Sequence, residues 1–375
     1  MNNIFGTRLA ALRQKRGLST LEAAFALGLG NATELAALES GKVQPTADII
    51  VRAVDSFNIS IETLTDPFRL VDEGRFSWRQ SGVSQDRLTQ YEQHAGSFIA
   101  AYRFLSPKFT RGSTDQTFRL ANTSAASRLI ERSKFETVSS IAENLVKDLG
   151  LGPVPADTLP NAIERNLGIL VLMVDPTDGV SGAACKLSDL DVILINRNDV
   201  PGRRNFDLGH ELFHILTWRA MPPAHIEDVN ERNKSRVEQL ADIFASSLLM
   251  PAHILDRYGE WSSLSGDHLV DKLNAVADEL RVTSSALRWR LASLGRITQT
   301  IAKEIAEERL RFNGKVKPEL GQLPTLFSST FMKIIGQSLL QGELSVRRAA
   351  NLLQVNVDEL RAVFLEYGIE PPFEI

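Results

Sequence analysis

The stretch GHELFHILTW, residues 209–218, constrains this chain more than any other part of its sequence. On an α-helix, residues i and i+4 project from the same face, so His210 and His214 can present two imidazole nitrogens to one ion. Zinc accepts such nitrogens at about 2.0–2.1 Å and, in catalytic sites, takes three protein ligands and a water. Glu211 would then lie beside the metal, where a general base for that water belongs. The alternative is that two core histidines flank a glutamate by chance.

A second pair of side chains, in RVEQLADIFASSLLMP, favours the metal site. Glu238 and Asp242 are also four residues apart, so one helix face carries both acids while the opposite face is apolar. Glu238 can supply a third ligand, and Asp242 can accept the free ring N–H of a liganding histidine. The alternative for this pair is a solvated acidic helix face. His225 can be a fourth ligand, an oxyanion stabiliser or neither, and Tyr258 is a second oxyanion candidate.

These two motifs carry a resemblance to a known family. FDLGHELFHIL, followed by ExxADxFASSLLMP, resembles the ImmA/IrrE family of bacterial zinc metallopeptidases, and the similarity covers approximately residues 136–297. The resemblance implies that His210, His214 and Glu238 bind Zn2+ and that Glu211 is the catalytic acid/base. It also implies cleavage of a specific protein partner, typically a transcriptional repressor or an antitoxin, in stress, mobile-element or toxin–antitoxin control.

Three strands are predicted upstream of the histidine pair. GILVLMVD, GVSGAACKL and DVILINR are rich in β-branched residues and are bounded by turn residues. With helical segments around them, they predict an α+β fold that is mostly helical: a zincin-like peptidase core with a small sheet, flanked by an N-terminal helix-turn-helix domain and a C-terminal helical region. A substrate chain would pair with an exposed edge strand, for which GVSGAACKL is the candidate. Proline at Ala183 would then abolish cleavage while zinc stays bound.

The first part of the chain reads as short helices separated by glycine turns. GTRLAALRQKRGLSTLEAAFALGLGNATELAALESGKVQPT resembles a helix-turn-helix of the XRE/lambda-repressor type, in which NATELAALE would enter the major groove. That helix lacks Arg and Lys, the commonest readers of guanine, so a module for dimerisation or for docking a partner is the alternative. The candidates for DNA contacts are Arg8, Arg13, Lys15, Arg16, Asn31, Thr33 and Lys42.

The domain boundaries follow from these segments. Residues 1–67 are predicted as the helix-turn-helix domain, 68–135 as a linker with a long connecting helix, 136–297 as the peptidase domain and 298–375 as a C-terminal helical region. The end of the linker, PKFTRGSTDQTFRLANTS, is predicted as a loop. VADELRVTSSALRWRLASLG and AANLLQVNVDELRAVFLEYG each read helix, turn, helix with arginines nearby; they predict packing in a helical bundle or a further DNA contact.

Composition narrows the setting. The chain of 375 residues has a formal charge of -4, so no global basic field indicates a nucleic acid or a membrane. The single cysteine, Cys185, excludes an internal disulfide and suits a reducing cytosol. No signal peptide is visible, and no apolar run approaches the ~20 residues of a membrane helix. We therefore expect a cytoplasmic zinc endopeptidase coupled to a helix-turn-helix module, with a homodimer as one expected assembly. The alternative is a transcription regulator that uses the zinc fold as a sensor or scaffold without proteolysis.

Overall fold

The computed structural model describes residues 3–71, 73–109, 124–228, 234–311 and 323–374, and across them a five-stranded sheet lies between two apolar cores. The strands are β1 Arg75–Gln80, β2 Leu170–Val174, β3 Val180–Lys186, β4 Asp191–Asn196 and β5 Ile226–Asp228. Their order in the sheet is β2-β4-β3-β1-β5. β3 is antiparallel to β1 and β4, whereas β2 pairs with β4, and β5 with β1, in parallel.

Helices make up most of the remaining described chain. They are α1 Ile4–Lys15, α2 Thr20–Ala26, α3 Ala32–Glu39, α4 Ala47–Phe57, α5 Ile61–Thr65, α6 Gln85–Phe109, α7 Phe135–Asp148, α8 Pro155–Ala162, α9 Pro201–Thr217, α10 Arg236–Leu249, α11 Ala252–Leu255, α12 Gly266–Leu280, α13 Ser284–Ser293, α14 Gln299–Glu304, α15 Ser329–Leu340, α16 Val346–Leu353 and α17 Val357–Glu366. Helices α1–α5 surround a small core of their own. In the part of the chain that the structure describes, no helix is both long and apolar enough to cross a bilayer.

The sheet is buried on both faces, which explains its apolar strands. Along β3, Ala184 packs into the core formed with α7–α14, while Ala183 and Cys185 pack into the core formed with α6 and α15–α17. Strands covered on both sides read as continuous apolar runs rather than as alternating ones. The three predicted strands are therefore confirmed as β2, β3 and β4.

The prediction of a linker over residues 68–135 is wrong at β1. Arg75–Gln80 forms a sheet strand in which Phe76 and Trp78 pack into the core with α6. Its other face carries Ser77 and Arg79, which are buried although polar, so the strand lacks the usual alternation of apolar and exposed residues. The predicted long helix is present as α6, but it packs on the sheet rather than connecting two domains. Residues 110–123 of the predicted loop lie outside the described residues.

The prediction that GVSGAACKL is an edge strand is also wrong. β3 is paired along one side with β4 and along the other with β1, because the chain before the predicted peptidase domain contributes a strand. The strand at the edge of the sheet beyond β1 is β5. A substrate therefore cannot pair with β3.

Two arginines of the C-terminal third are held in packing contacts. Arg290 of α13 is buried and donates to Glu143 of α7 at 2.6 Å, and Arg288 on the same helix is buried and pairs with Glu307. These contacts favour the bundle interpretation of that helix pair, because the two guanidinium groups are committed inside the protein.

The central position of β3 predicts that proline at Ala183 unfolds the sheet. The substitution removes a ladder N–H between two neighbouring strands, and we expect it to lower the free energy of unfolding by on the order of 3 kcal/mol. Urea unfolding followed by circular dichroism measures this loss. Ser188→Pro is the matched control, because Ser188 lies in the exposed turn between β3 and β4 and no positive φ is recorded there. Equal stability of the two variants would contradict the central placement of β3.

Candidate metal centre

Two helices bring the predicted ligands together. α9 supplies His210, Glu211 and His214, and α10 supplies Glu238 and Asp242. The helices approach closely where a small residue of each faces the other. A Cβ built on the residue before the first histidine, Gly209, would lie 3.2 Å from both the Cα and the Cβ of Ala245. Larger side chains at this crossing would hold the acids away from the imidazoles.

The separations of the polar atoms fit one tetrahedral ion. His210 Nε2 lies 3.1 Å from His214 Nε2 and 3.0 Å from Glu238 Oε2, and His214 Nε2 lies 3.5 Å from the same oxygen. Ligands about 2.0–2.1 Å from a tetrahedral zinc are roughly 3.3 Å from one another. A fourth candidate, Glu227 of β5, has Oε2 at 3.3 Å from His210 Nε2. One ligand atom from each of these four residues can be chosen so that all lie within 4.8 Å of one another.

The chemistry of this set calls for a cation. His210 Nδ1 lies 3.0 Å from Asp242 Oδ1, and because a carboxylate only accepts, this nitrogen donates and Nε2 keeps its lone pair. That lone pair faces the His214 ring nitrogen and the Glu238 carboxylate, and the ring nitrogen can act as an acceptor as the carboxylate does. A shared divalent cation satisfies all three acceptors at once, and the residues therefore fit the zinc that the sequence predicts.

The charges around the histidines agree with this interpretation. Among the described residues, the carboxylates that converge here are Asp207, Glu211, Glu227, Glu238 and Asp242. The cationic side chains in contact with them are Arg79, Arg203 and Lys234. With Glu211 protonated and both imidazoles neutral, four negative charges face three positive ones. The remaining negative charge favours a bound cation.

The pKa values of the two acids follow from the imidazoles beside them. Burial alone would raise the pKa of Glu238, but hydrogen bonds to His210 and His214 outweigh burial and hold the pKa well below its usual value. Burial likewise opposes ionisation of Asp242, and the bond to His210 outweighs it and lowers the pKa. Glu238 and Asp242 are therefore both anions beside the imidazoles. Glu238 needs this charge to bind a metal, and Asp242 needs it to accept the N–H of a liganding histidine.

The two imidazoles differ in their protonation. Burial and the neighbouring Arg79 oppose a charge on His210, but hydrogen bonds to three carboxylates raise its pKa well above the usual value. Burial lowers the pKa of His214. A proton and a metal ion therefore compete for His210 Nε2, whereas His214 is already in the neutral form that binds metals.

The environment of the Glu211 side chain differs from that of the predicted ligands. Its side chain is buried, and neither carboxylate oxygen has a hydrogen-bond partner among the described residues. Burial raises the pKa of Glu211 to about 8. The side chain lies over Gly182 of β3, where a Cβ would come within 3.8 Å of Glu211 Cγ. A carboxyl group with this pKa and free oxygens is suited to accept and return a proton near neutral pH.

Sequence reasoning missed three charged residues of the centre. Arg79 of β1 is buried, with Nε 3.2 Å from Asp207 and Nη1 3.2 Å from Glu227. Its Nη1 also lies 2.9 Å from His210 Nε2, so the guanidinium and a metal compete for the same lone pair. Asp207 had a signal in the sequence, since it precedes His210 by three residues on the same helix. Arg79 and Glu227 had none, because neither strand was predicted.

The two predicted oxyanion candidates have other partners. His225 Nε2 lies 2.7 Å from Glu92 Oε2 of α6, and the side chain is half exposed. The Tyr258 hydroxyl interacts with Glu279 of α12, and burial together with this contact raises its pKa to about 12. Neither side chain belongs to the group of four potential ligands. These contacts give no support to a role for either residue in stabilising an oxyanion.

The part of the chain that supplies α9 and α10 also matches a known family. Residues 164–292 match Peptidase_M78, the IrrE N-terminal-like domain. This match supports the resemblance to the ImmA/IrrE family and identifies a metallopeptidase domain, of a type that depends on zinc in general. It contains the five predicted residues of α9 and α10 but not β1 with Arg79. No curated protein gives a significant match to the chain.

Some of the residues predicted to contact DNA are buried in the structure, and others are exposed. Arg8 is buried and pairs with Glu73 at 3.2 Å, and its remaining donors reach the backbone carbonyls of Thr63, Asp66 and Arg69. A guanidinium held in this way cannot reach a phosphate, so the prediction for Arg8 is wrong. The reason is that Arg8 ties α1 to the segment that leads into β1.

Other members of the set have structural contacts as well. Arg13 is mostly buried and pairs with Glu39 at 2.7 Å, and Arg16 donates to the backbone carbonyl of Phe57. The Asn31 side chain caps α3 by accepting from two backbone N–H groups. The exposed members of the set are Lys15, Arg16, Asn31, Thr33 and Lys42. DNA binding by this module stays a prediction.

The bond between Asp242 and His210 leads to a test of the metal centre. Partners that orient a liganding imidazole are worth about 10–100-fold in metal affinity, so Asp242→Ala should weaken zinc binding by that factor. Competition with a chromophoric chelator at fixed pH measures the change. Asp271→Ala is the matched control, since Asp271 is an exposed carboxylate on α12. Unchanged affinity in Asp242→Ala would contradict the assignment of His210 as a ligand.

Proposed function

We propose that this protein is a cytoplasmic, zinc-dependent endopeptidase that cleaves a specific protein partner and is coupled to a helix-turn-helix module. One observation carries the proposal. The nitrogens of His210 and His214 and an oxygen of Glu238 converge at the separations of a tetrahedral ion, next to Glu211, a buried carboxyl group whose oxygens have no hydrogen-bond partner among the described residues. A core histidine pair would not need an unpaired carboxyl beside it, because an unsatisfied buried group costs stability.

The chemistry we propose is hydrolysis of a peptide bond. His210, His214 and Glu238 would hold a zinc, which would lower the pKa of a water toward ~7 and polarise the scissile carbonyl. Ionised Glu211 would accept a proton from that water, and the raised pKa of the resulting acid suits its return to the leaving amine. Asp242 accepts from His210 Nδ1 and so leaves Nε2 as the nitrogen available to a metal. Asp207 and Glu227 hold the Arg79 guanidinium at the same centre.

The proposed partner is a transcriptional repressor or an antitoxin-like protein, which is what the resemblance to the ImmA/IrrE family implies. The setting would be control of stress responses, mobile elements or toxin–antitoxin pairs. A Glu211→Gln protein that binds its partner without cleaving it provides a trap for identifying this substrate. Purified partner should then be cut by the unaltered chain and left intact by the trap.

A second candidate function is favoured by Glu227. A structural zinc is bound by four protein ligands, and Glu227 is positioned to be the fourth. On this reading the chain is a regulator whose zinc fold acts as a sensor or scaffold without proteolysis. Glu211 argues against it, because a closed scaffold has no use for a general base.

Replacing Glu211 by Gln separates the two functions. We expect Glu211→Gln to retain zinc, since no proposed ligand is altered, and to lose cleavage of the partner by at least about 100-fold, since general acid–base catalysis contributes that much or more. Zinc content by elemental analysis and cleavage followed by gel electrophoresis give the two readouts. The control is Glu136→Gln, an exposed acid at the start of α7, which should leave both unchanged. Full biological activity of Glu211→Gln in cells would favour the regulator.

For the N-terminal module we propose DNA binding, supported by its separate core and by the short turn between α2 and α3. Binding of a mixed-sequence duplex should weaken as salt rises, because lysine–phosphate contacts release counterions. Lys42→Ala should lower the affinity and reduce the salt slope by about one, whereas Lys147→Ala on α7 should change neither. Mobility shifts at several salt concentrations measure both quantities. Absence of any complex at low salt would leave the module a role in docking a protein.

A further inference from the structure

The edge of β1 beside the metal centre is covered by a short segment of the same chain. Residues 225–228, which we call the strap, lie along this edge: the backbone N–H of Trp78 donates to the carbonyl of His225 at 2.8 Å. From there Arg79 is in register with Glu227, and Gln80 with Asp228. The strap therefore forms an added strand at the position where an extended peptide would pair with the sheet.

The side chain of the strap that points to the centre is a carboxylate. Glu227 Oε2 lies 3.3 Å from His210 Nε2, and Oε1 lies 3.2 Å from Arg79 Nη1. The first distance equals the spacing expected between two ligands of one tetrahedral zinc, roughly 3.3 Å. A catalytic zinc has three protein ligands and one position for water, whereas a site with four protein ligands is closed. Glu227 is thus placed to take the position that hydrolysis needs.

We propose that Glu227 is a fourth protein ligand of the metal and that the strap, by delivering it, holds the peptidase in a closed resting form. This inference rests on the proposed function, and it adds a regulation of the same site. Cleavage then requires the strap to leave β1, which frees the strand edge for the substrate and the fourth metal position for water in one movement.

The attachment of the strap to the protein suits such a release. The strap is held by its backbone pairing with β1, and its side-chain contacts include the Arg79–Glu227 ion pair and the 2.7 Å contact of His225 with Glu92 of α6. β5 is three residues long and pairs on one side only, at the edge of the sheet. Arg79 keeps a second carboxylate, Asp207, when Glu227 leaves. Releasing the strap therefore leaves no buried cation without a partner.

Cobalt substitution tests the proposal on the full chain. Co2+ replaces zinc, and its visible spectrum reports the binding of acetohydroxamate to a free metal position. In Glu227→Ala we expect this probe to alter the spectrum at a concentration at least tenfold lower than in the unaltered chain. Asp271→Ala, at an exposed carboxylate on α12 outside the strap, is the control and should behave like the unaltered chain. Glu227→Gln keeps the size of the side chain and should resemble Glu227→Ala.

A second readout separates this inference from the proposed function. Cleavage of casein, an unfolded protein, should rise at least tenfold in Glu227→Ala and in Glu227→Gln but not in Asp271→Ala. Easier access of acetohydroxamate without any cleavage would support the strap and refute the peptidase. Cleavage by the unaltered chain with equal probe access in all variants would support the peptidase and overturn the strap. A chain that binds no Co2+ at all would overturn the strap as well.

Discussion

The close crossing of α9 and α10 sets the distance on which the metal centre depends. Gly209 and Ala245 let the two helices approach, and one turn of each helix then places its polar side chains opposite those of the other. The result is a concentration of acceptors, His210, His214 and Glu238, that repel one another unless a cation lies between them. The packing of the core on this side of the sheet has to offset the free-energy cost of bringing these acceptors together.

A second layer of the centre comes from the sheet rather than from the helices. β1 contributes Arg79 and β5 contributes Glu227, and both side chains contact His210 Nε2. A cation and an anion are thereby added to a centre that already holds both histidines and several acids. The pairing of these two charges makes their burial tolerable, because an isolated buried charge would shift to its neutral form.

The helical half of this centre could be predicted from the sequence, and the strand half could not. The spacing of four residues between His210 and His214, and between Glu238 and Asp242, is local information that a helix converts directly into geometry. From the sequence alone, Arg79 is one charged residue in a polar stretch, because the pairing of β1 with β3 joins residues that are far apart in the chain. For the same reason the sequence predicts β3 as an edge strand, because the strand that covers it lies far away in the chain. The sequence predicts a DNA contact for Arg8 because its burial partner, Glu73, is equally non-local.

The large sequence separation between β1 and its partners affects the order in which the fold forms. Its antiparallel partner in β3 follows it by about 110 positions, from Arg75 to Lys186, and the helices that cover it on the far side include α15 to α17. Contacts between residues so far apart in the sequence form late. β1 and α6 therefore emerge from the ribosome long before the elements that they pack against. A recombinant fragment cut to residues 164–292 would lack these pieces and expose an unpaired β3 margin that invites aggregation.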